Sequence, residues 1–134
     1  MSPHSLNGGK KMTIMDAINR IDTLKPNRYT LVEKINWLNT VDERIMEEII
    51  SKYESTDAHT HTGYTEDTAL TTELLAKAPH DELYLYWLEA QVDYWNGEYA
   101  KYNNSIEMFN TAYTAFANSY HRNNMPKGAK LKFF

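Results

Sequence analysis

Apolar residues recur along this chain with helical periods, interrupted by two polar stretches. Ile14, Ile18, Ile21 and Leu24 are spaced 4, 3 and 3, and Thr13 with Asp16 imitates a capping box ahead of them. The spacing predicts a short amphipathic helix over 14–24. Lys25-Pro26-Asn27 stops it, because proline disfavours helical backbone in the residue before it. Thr30 with Glu33 forms a T-x-x-E box just ahead of Leu31, Ile35, Leu38, Val41, Ile45, Ile49 and Tyr53. That stripe has the 3.6-residue period of a helix facing a core, and Glu43, Glu47, Glu48 and Glu54 lie largely off it.

From Glu54 to Thr72 the pattern dissolves into Ser, Thr, Asp, His and one Gly, a connection long enough to suggest a function. Leu70, Leu74 and Leu75 are expected to pin its far end to the core, as a helical turn or a small β-ribbon. Pro79-His80-Asp81-Glu82 then reads as a helix start, with acids suited to the positive end of the dipole. The strongest signal follows. Leu85, Leu88, Val92, Trp95, Tyr99, Tyr102, Ile106, Phe109, Tyr113, Phe116 and Tyr120 alternate in steps of 3 and 4 without exception. Asn96-Gly97 reads either as a helix C-terminus with a tight turn or as an interior glycine costing ~1 kcal/mol. Heptad phase carried across it favours one continuous helix, with room for a bend at Gly97 or at Asn103-Asn104-Ser105.

These elements predict an all-α fold: two shorter helices packed on one long C-terminal helix, with a long polar loop and a short extended tail. Residues 1–11 read as a disordered arm or as non-native residues, 12–121 as one helical domain and 122–134 as a basic tail. A helix over 81–121 would be ~60 Å long, whereas a compact chain of 134 residues has a diameter of about 36 Å. The second helix would then cover little more than half of it, leaving Phe109, Tyr113 and Phe116 uncovered. Self-association follows as the expectation. Contact with other copies or partners is assigned to Tyr102, Phe109, Tyr113, Phe116 and Tyr120 on the seam, and to Lys127, Lys130, Lys132 and Phe133 in the tail.

Composition narrows the chemistry. With no cysteine, disulfide scaffolds, thiolate zinc sites and cysteine nucleophiles are excluded. No apolar run approaches the ~20 residues of a membrane helix, so a soluble protein without a membrane partner is expected. The net charge of −4 hides an asymmetry. Fifteen acids face four bases between Glu33 and Glu98, while Arg122, Lys127, Lys130 and Lys132 are accompanied by no acid. An acidic body repels a phosphate backbone, which argues against nucleic acid as the partner. The tail complements the acidic body of a neighbouring copy instead.

Catalytic patterns are weak. His59-Thr60-His61 with Asp57 is the nearest approach to a metal site, but a third ligand would have to come from elsewhere, such as His80 or Asp67. Glu47 and Glu48 point about 100° apart on a helix and are poorly placed to share a proton. No phosphate-binding loop, dinucleotide fingerprint or nucleophile elbow occurs. The expectation is a protein that is not an enzyme and takes no cofactor.

Several segments together carry a resemblance. Asp16-Ala17-Ile18-Asn19-Arg20, Glu33-Lys34-Ile35-Asn36-Trp37-Leu38, Trp87-Leu88-Glu89-Ala90-Gln91 and Asn96-Gly97-Glu98-Tyr99-Ala100-Lys101-Tyr102 lead into Phe109-Asn110. Over roughly residues 12–127 the chain resembles small proteins of the structural-gene modules of tailed phages and prophages of Gram-positive bacteria. Within those it is similar to head–tail connector (adaptor, or head-completion) proteins. The resemblance implies a structural subunit that assembles as a ring beneath the portal, in the virion or in the host cytoplasm during assembly. Such connectors commonly show several medium helices, in contrast to the single long one read here. A second reading is a small dimeric regulatory module that recognises its partner through the 55–72 loop.

Overall fold

The computed structural model describes residues 11–54 and 61–126. The element order is β1 (Lys11–Thr13), α1 (Ile14–Leu24), α2 (Leu31–Glu48), a 3₁₀ turn (Ile50–Lys52), β2 (Tyr53–Glu54), β3 (Glu73–Lys77), α3 (Glu82–Trp95), α4 (Tyr99–Asn123) and β4 (Met125–Pro126). The helices run alternately up and down. Both capping boxes form: Thr13 and Asp16 exchange bonds of 3.1 and 3.0 Å, and Thr30 and Glu33 bonds of 2.8 and 3.1 Å. Each pair satisfies backbone donors that a helix start otherwise leaves open. α1 therefore spans the expected residues and buries Ile14, Ala17, Ile18 and Ile21. α2 buries Ile35, Leu38, Val41 and Ile45, and the stripe continues through buried Ile49.

The fold is mostly helical but not all-α. β1 pairs antiparallel with β3, and β2 with β4, giving two small two-stranded sheets at one end of the bundle. β3 alternates, with Leu74 and Ala76 inward and Glu73 and Lys77 outward. The amides of Ile14 and Met15 donate to the carbonyls of Thr72 and Leu70, both at 3.0 Å, which ties this ribbon to the start of α1. Strands of two to five residues are too short for alternation to register in sequence. The first described element starts at Lys11, and the last helix runs to Asn123. The arm over residues 1–10 and the extended tail over 127–134 lie outside the described residues.

The long C-terminal helix is the main correction. The chain reverses at Gly97, whose φ of +77° is a left-handed conformation that glycine adopts without strain. The Glu98 amide reaches back to the Asp93 carbonyl at 2.9 Å and the Gly97 amide to that of Tyr94 at 3.0 Å. Those two bonds are a Schellman cap. Heptad phase survives because the two seams face each other across the reversal. Leu85, Leu88 and Val92 of α3 and Phe109, Tyr113 and Phe116 of α4 all lie in the core. A connector of three residues (Asn96-Gly97-Glu98) keeps the same spacing, four, that an unbroken helix would have between Trp95 and Tyr99.

α3 packs against α1, α2 and α4. Its buried residues Leu83, Tyr84, Leu85, Leu88, Ala90 and Val92 lie all round it, as expected of a helix enclosed by its neighbours. Trp87 packs against Phe109 at a tilt, with centroids 5.0 Å apart. The Phe109 ring is 0% exposed, and burying such a side chain contributes about 1.5–3 kcal/mol. The ridge thought too long for one chain to shelter is thus largely sheltered by its own fold.

Candidate interaction surface

The end of the bundle at the α3–α4 reversal also holds the α1–α2 connection. The Lys25 ammonium donates to Asp93 at 2.6 Å, and the Tyr29 hydroxyl donates to Asn96 Oδ1 at 2.6 Å. Asp93 is fully buried and also accepts from the Ser105 hydroxyl at 2.9 Å, so one carboxylate joins α1, α3 and α4. A carboxylate in the last turn of a helix opposes the dipole; here a cation and a hydroxyl compensate it.

Around this fastening, among exposed Arg28, Asn96, Glu98 and Lys101, stand several exposed apolar side chains. Tyr94 is 44% exposed, and Trp95 and Tyr99 are each 60% exposed. The Tyr94 ring meets those of Trp95, Tyr99 and Tyr102 edge-on at 5.1, 5.8 and 5.5 Å. Leu24 at the end of α1, with Leu31 and Val32 at the start of α2, are exposed at the same end. Six of the seven large hydrophobic side chains exposed among the described residues lie here, Met108 being the seventh.

Of the residues assigned to contact from the sequence, Tyr102 borders this end through its ring contact with Tyr94, whereas three others lie in the core. Phe109, Tyr113 and Phe116 are core residues, so the uncovered face they were expected to form does not exist. Tyr113 donates to the Glu48 carboxylate at 2.8 Å, and the Arg44 guanidinium sits 4.3 Å from its ring centroid, tying α2 to α4. The Arg44 side chain, then Tyr113, hold the Glu48 carboxyl below its ordinary range. Burial and the neighbouring Glu48 push the Tyr113 hydroxyl up. Tyr102 and Tyr120 are half-buried, Tyr120 against Tyr53 and Phe116. Lys127, Lys130, Lys132 and Phe133 lie outside the described residues, as do His59 and Asp57.

His61 lies against Tyr64, with Nε2 3.0 Å from Asn39 Oδ1. His80 packs against Phe116. Among the described residues no three His, Asp or Glu side chains gather to hold a metal.

One polar centre escaped the sequence reading. Asp42 is fully buried and accepts from the hydroxyls of Tyr64 and Tyr84, the latter at 2.6 Å, and from the Leu75 amide at 3.1 Å. Tyr84 in turn accepts from the Ala76 amide at 2.7 Å. Burial pushes the Asp42 carboxyl above its ordinary range, against the lowering effect of its three donors. It pushes both phenols up as well. The available signal was position: Asp42 stands four residues after Leu38 and three before Ile45, inside the apolar stripe of α2. This buried centre fastens the 64–76 segment to the bundle.

No family model matches this chain, and no curated protein and no solved structure does so either.

Proposed function

We propose that this protein is a non-enzymatic structural subunit of tailed-phage or prophage assembly, a head–tail connector that associates with copies of itself. The observation that carries the proposal is the gathering of exposed apolar side chains at one end of the bundle. Three rings and three aliphatic side chains expose on the order of 600 Å² there, at the upper limit for a monomer's largest patch. A standard interface buries about 800 Å² per partner, so a second copy seated on this end supplies a cover of the right size. Tyr and Trp suit such a surface, being apolar in the body and polar at the tip. The break at Gly97 adds support, since it replaces one long helix with the several shorter ones common in connectors.

A recognition role for the 55–72 loop draws less support. Its described part, residues 61–72, is tied down by His61, Tyr64 and the bonds from α1.

Light scattering coupled to size exclusion tests the reading. The wild type is expected to be oligomeric, and Trp95→Ser with Tyr99→Ser to shift it toward monomer while thermal stability moves by no more than about 0.5 kcal/mol, as at other surface sites. A wild type that stays monomeric at high concentration and does not bind a portal protein overturns it.

A further inference from the structure

At the opposite end, between the β1–β3 ribbon and the last turns of α4, lies a cavity of about 440 Å³. Apolar Ile50, Leu75 and Phe116 and polar His80, Ser119 and Asn124 all line it, with the His80 ring against Phe116. The antiparallel register sets Lys11 opposite Lys77, and both line the cavity. Like charges facing each other across a ladder are unfavourable unless an anion lies between them. Neither lysine belongs to an ion pair among the described residues. Among the described residues no acid lines this cavity, although acids outnumber bases by eighteen to fourteen in the chain.

The surrounding charges are consistent with this. The last turn of α4 presents its negative dipole end nearby, but His121 and Arg122 lie in that turn and the Asn124 side chain donates to the Tyr120 carbonyl at 2.9 Å. On its far side Lys11 borders a shallower hollow with Asp16, Asp81 and Arg20. There Asp16 is already engaged as the capping acid of α1. The volume suits a small organic molecule, with apolar side chains to hold its body and a few polar groups to orient it.

We propose that this cavity binds a phosphate monoester with a compact apolar body, the phosphate between Lys11 and Lys77 and the body over Phe116. This site is independent of the aromatic end and does not rest on the connector reading. Phenyl phosphate is the probe, titrated into the full chain at low salt and followed by amide NMR shifts.

Saturable shifts are expected at residues 76–80 and 119–124, with phenol and inorganic phosphate each binding at least ~10-fold more weakly because each supplies half the recognition. Lys11→Met with Lys77→Met is expected to weaken phenyl phosphate by ~10-fold or more. Its melting temperature should be equal or higher, since the like-charge pair is gone, so lost binding is not lost folding. Three outcomes overturn the proposal: no saturable shift up to about 10 mM, phenol matching phenyl phosphate, or full affinity in the double variant.

Discussion

The two ends of the bundle join helices in opposite ways. At the reversal end the connections are short, three residues between α3 and α4 and six between α1 and α2. They are closed by one Schellman cap and one buried carboxylate, leaving the outermost rings uncovered. At the strand end the one connection, between α2 and α3, is longer and brings its own cover. β3 and the 64–76 segment lie over the helix ends, and the polar groups they carry inward meet Asp42. Short turns are economical but expose whatever sits beside them; long connections can bury side chains only by satisfying their backbone and hydroxyl groups. The difference explains why the candidate contact surface is at one end and the largest buried polar network at the other.

Three substitutions sharpen that contrast. The largest effect is expected at the strand end, where Asp42→Ala leaves two hydroxyls and an amide without their acceptor. At about 1–3 kcal/mol for each stranded group, partly relieved by water entry, denaturant unfolding should show a loss of about 3–5 kcal/mol. A loss below about 1 kcal/mol would mean that the network does not fasten this end.

At the reversal end Gly97→Ala should cost about 1–2 kcal/mol, because a side chain disfavours a φ of +77°. Nothing within 4 Å would meet the added methyl group, so the loss is one of backbone conformation alone. A neutral result would show that the reversal tolerates another turn geometry.

The smallest effect is a change of slope with pH. Burial raises the Asp42 carboxyl, so the folded state holds that proton more tightly than the unfolded chain does. The resulting stabilisation is complete below the ordinary carboxylate range and is lost as pH rises through the raised folded value. Relative to Asp42→Asn, the wild type should therefore lose stability as pH climbs through that window and level off above it. Paired unfolding curves across pH check this, and a constant difference would count against it. Glu48, held below its ordinary range, acts with the opposite sign, its contribution fading as pH falls; it is common to both proteins and cancels from their difference.

Much of the helical framework was legible in sequence. Thr13-Asp16 and Thr30-Glu33 announced α1 and α2 because a capping box is local, and local signals do not depend on the rest of the fold. The heptad seam was legible too, but its meaning was not. Periodicity records which residues face inward, and an antiparallel hairpin with facing seams preserves the same count as a straight helix. Asn96-Gly97 was the only local sign of the difference. A ribbon near Leu74 and Leu75 was among the expectations, but its pairing was hidden, because Lys11–Thr13 meets a partner some sixty residues away, a relation no local pattern encodes. Asp42 was half legible: its place between Leu38 and Ile45 puts it on the apolar stripe, but its donors Tyr64 and Tyr84 come from distant segments.

Asp93 has one more implication. By drawing Lys25 and Ser105 onto a single buried carboxylate, it bolts three helices together directly beneath Tyr94, Trp95 and Tyr99, whose neighbouring rings already brace one another. For the association proposed above, a backbone held on such a footing would have little ordering left to undergo, and more of the contact energy would then go to affinity.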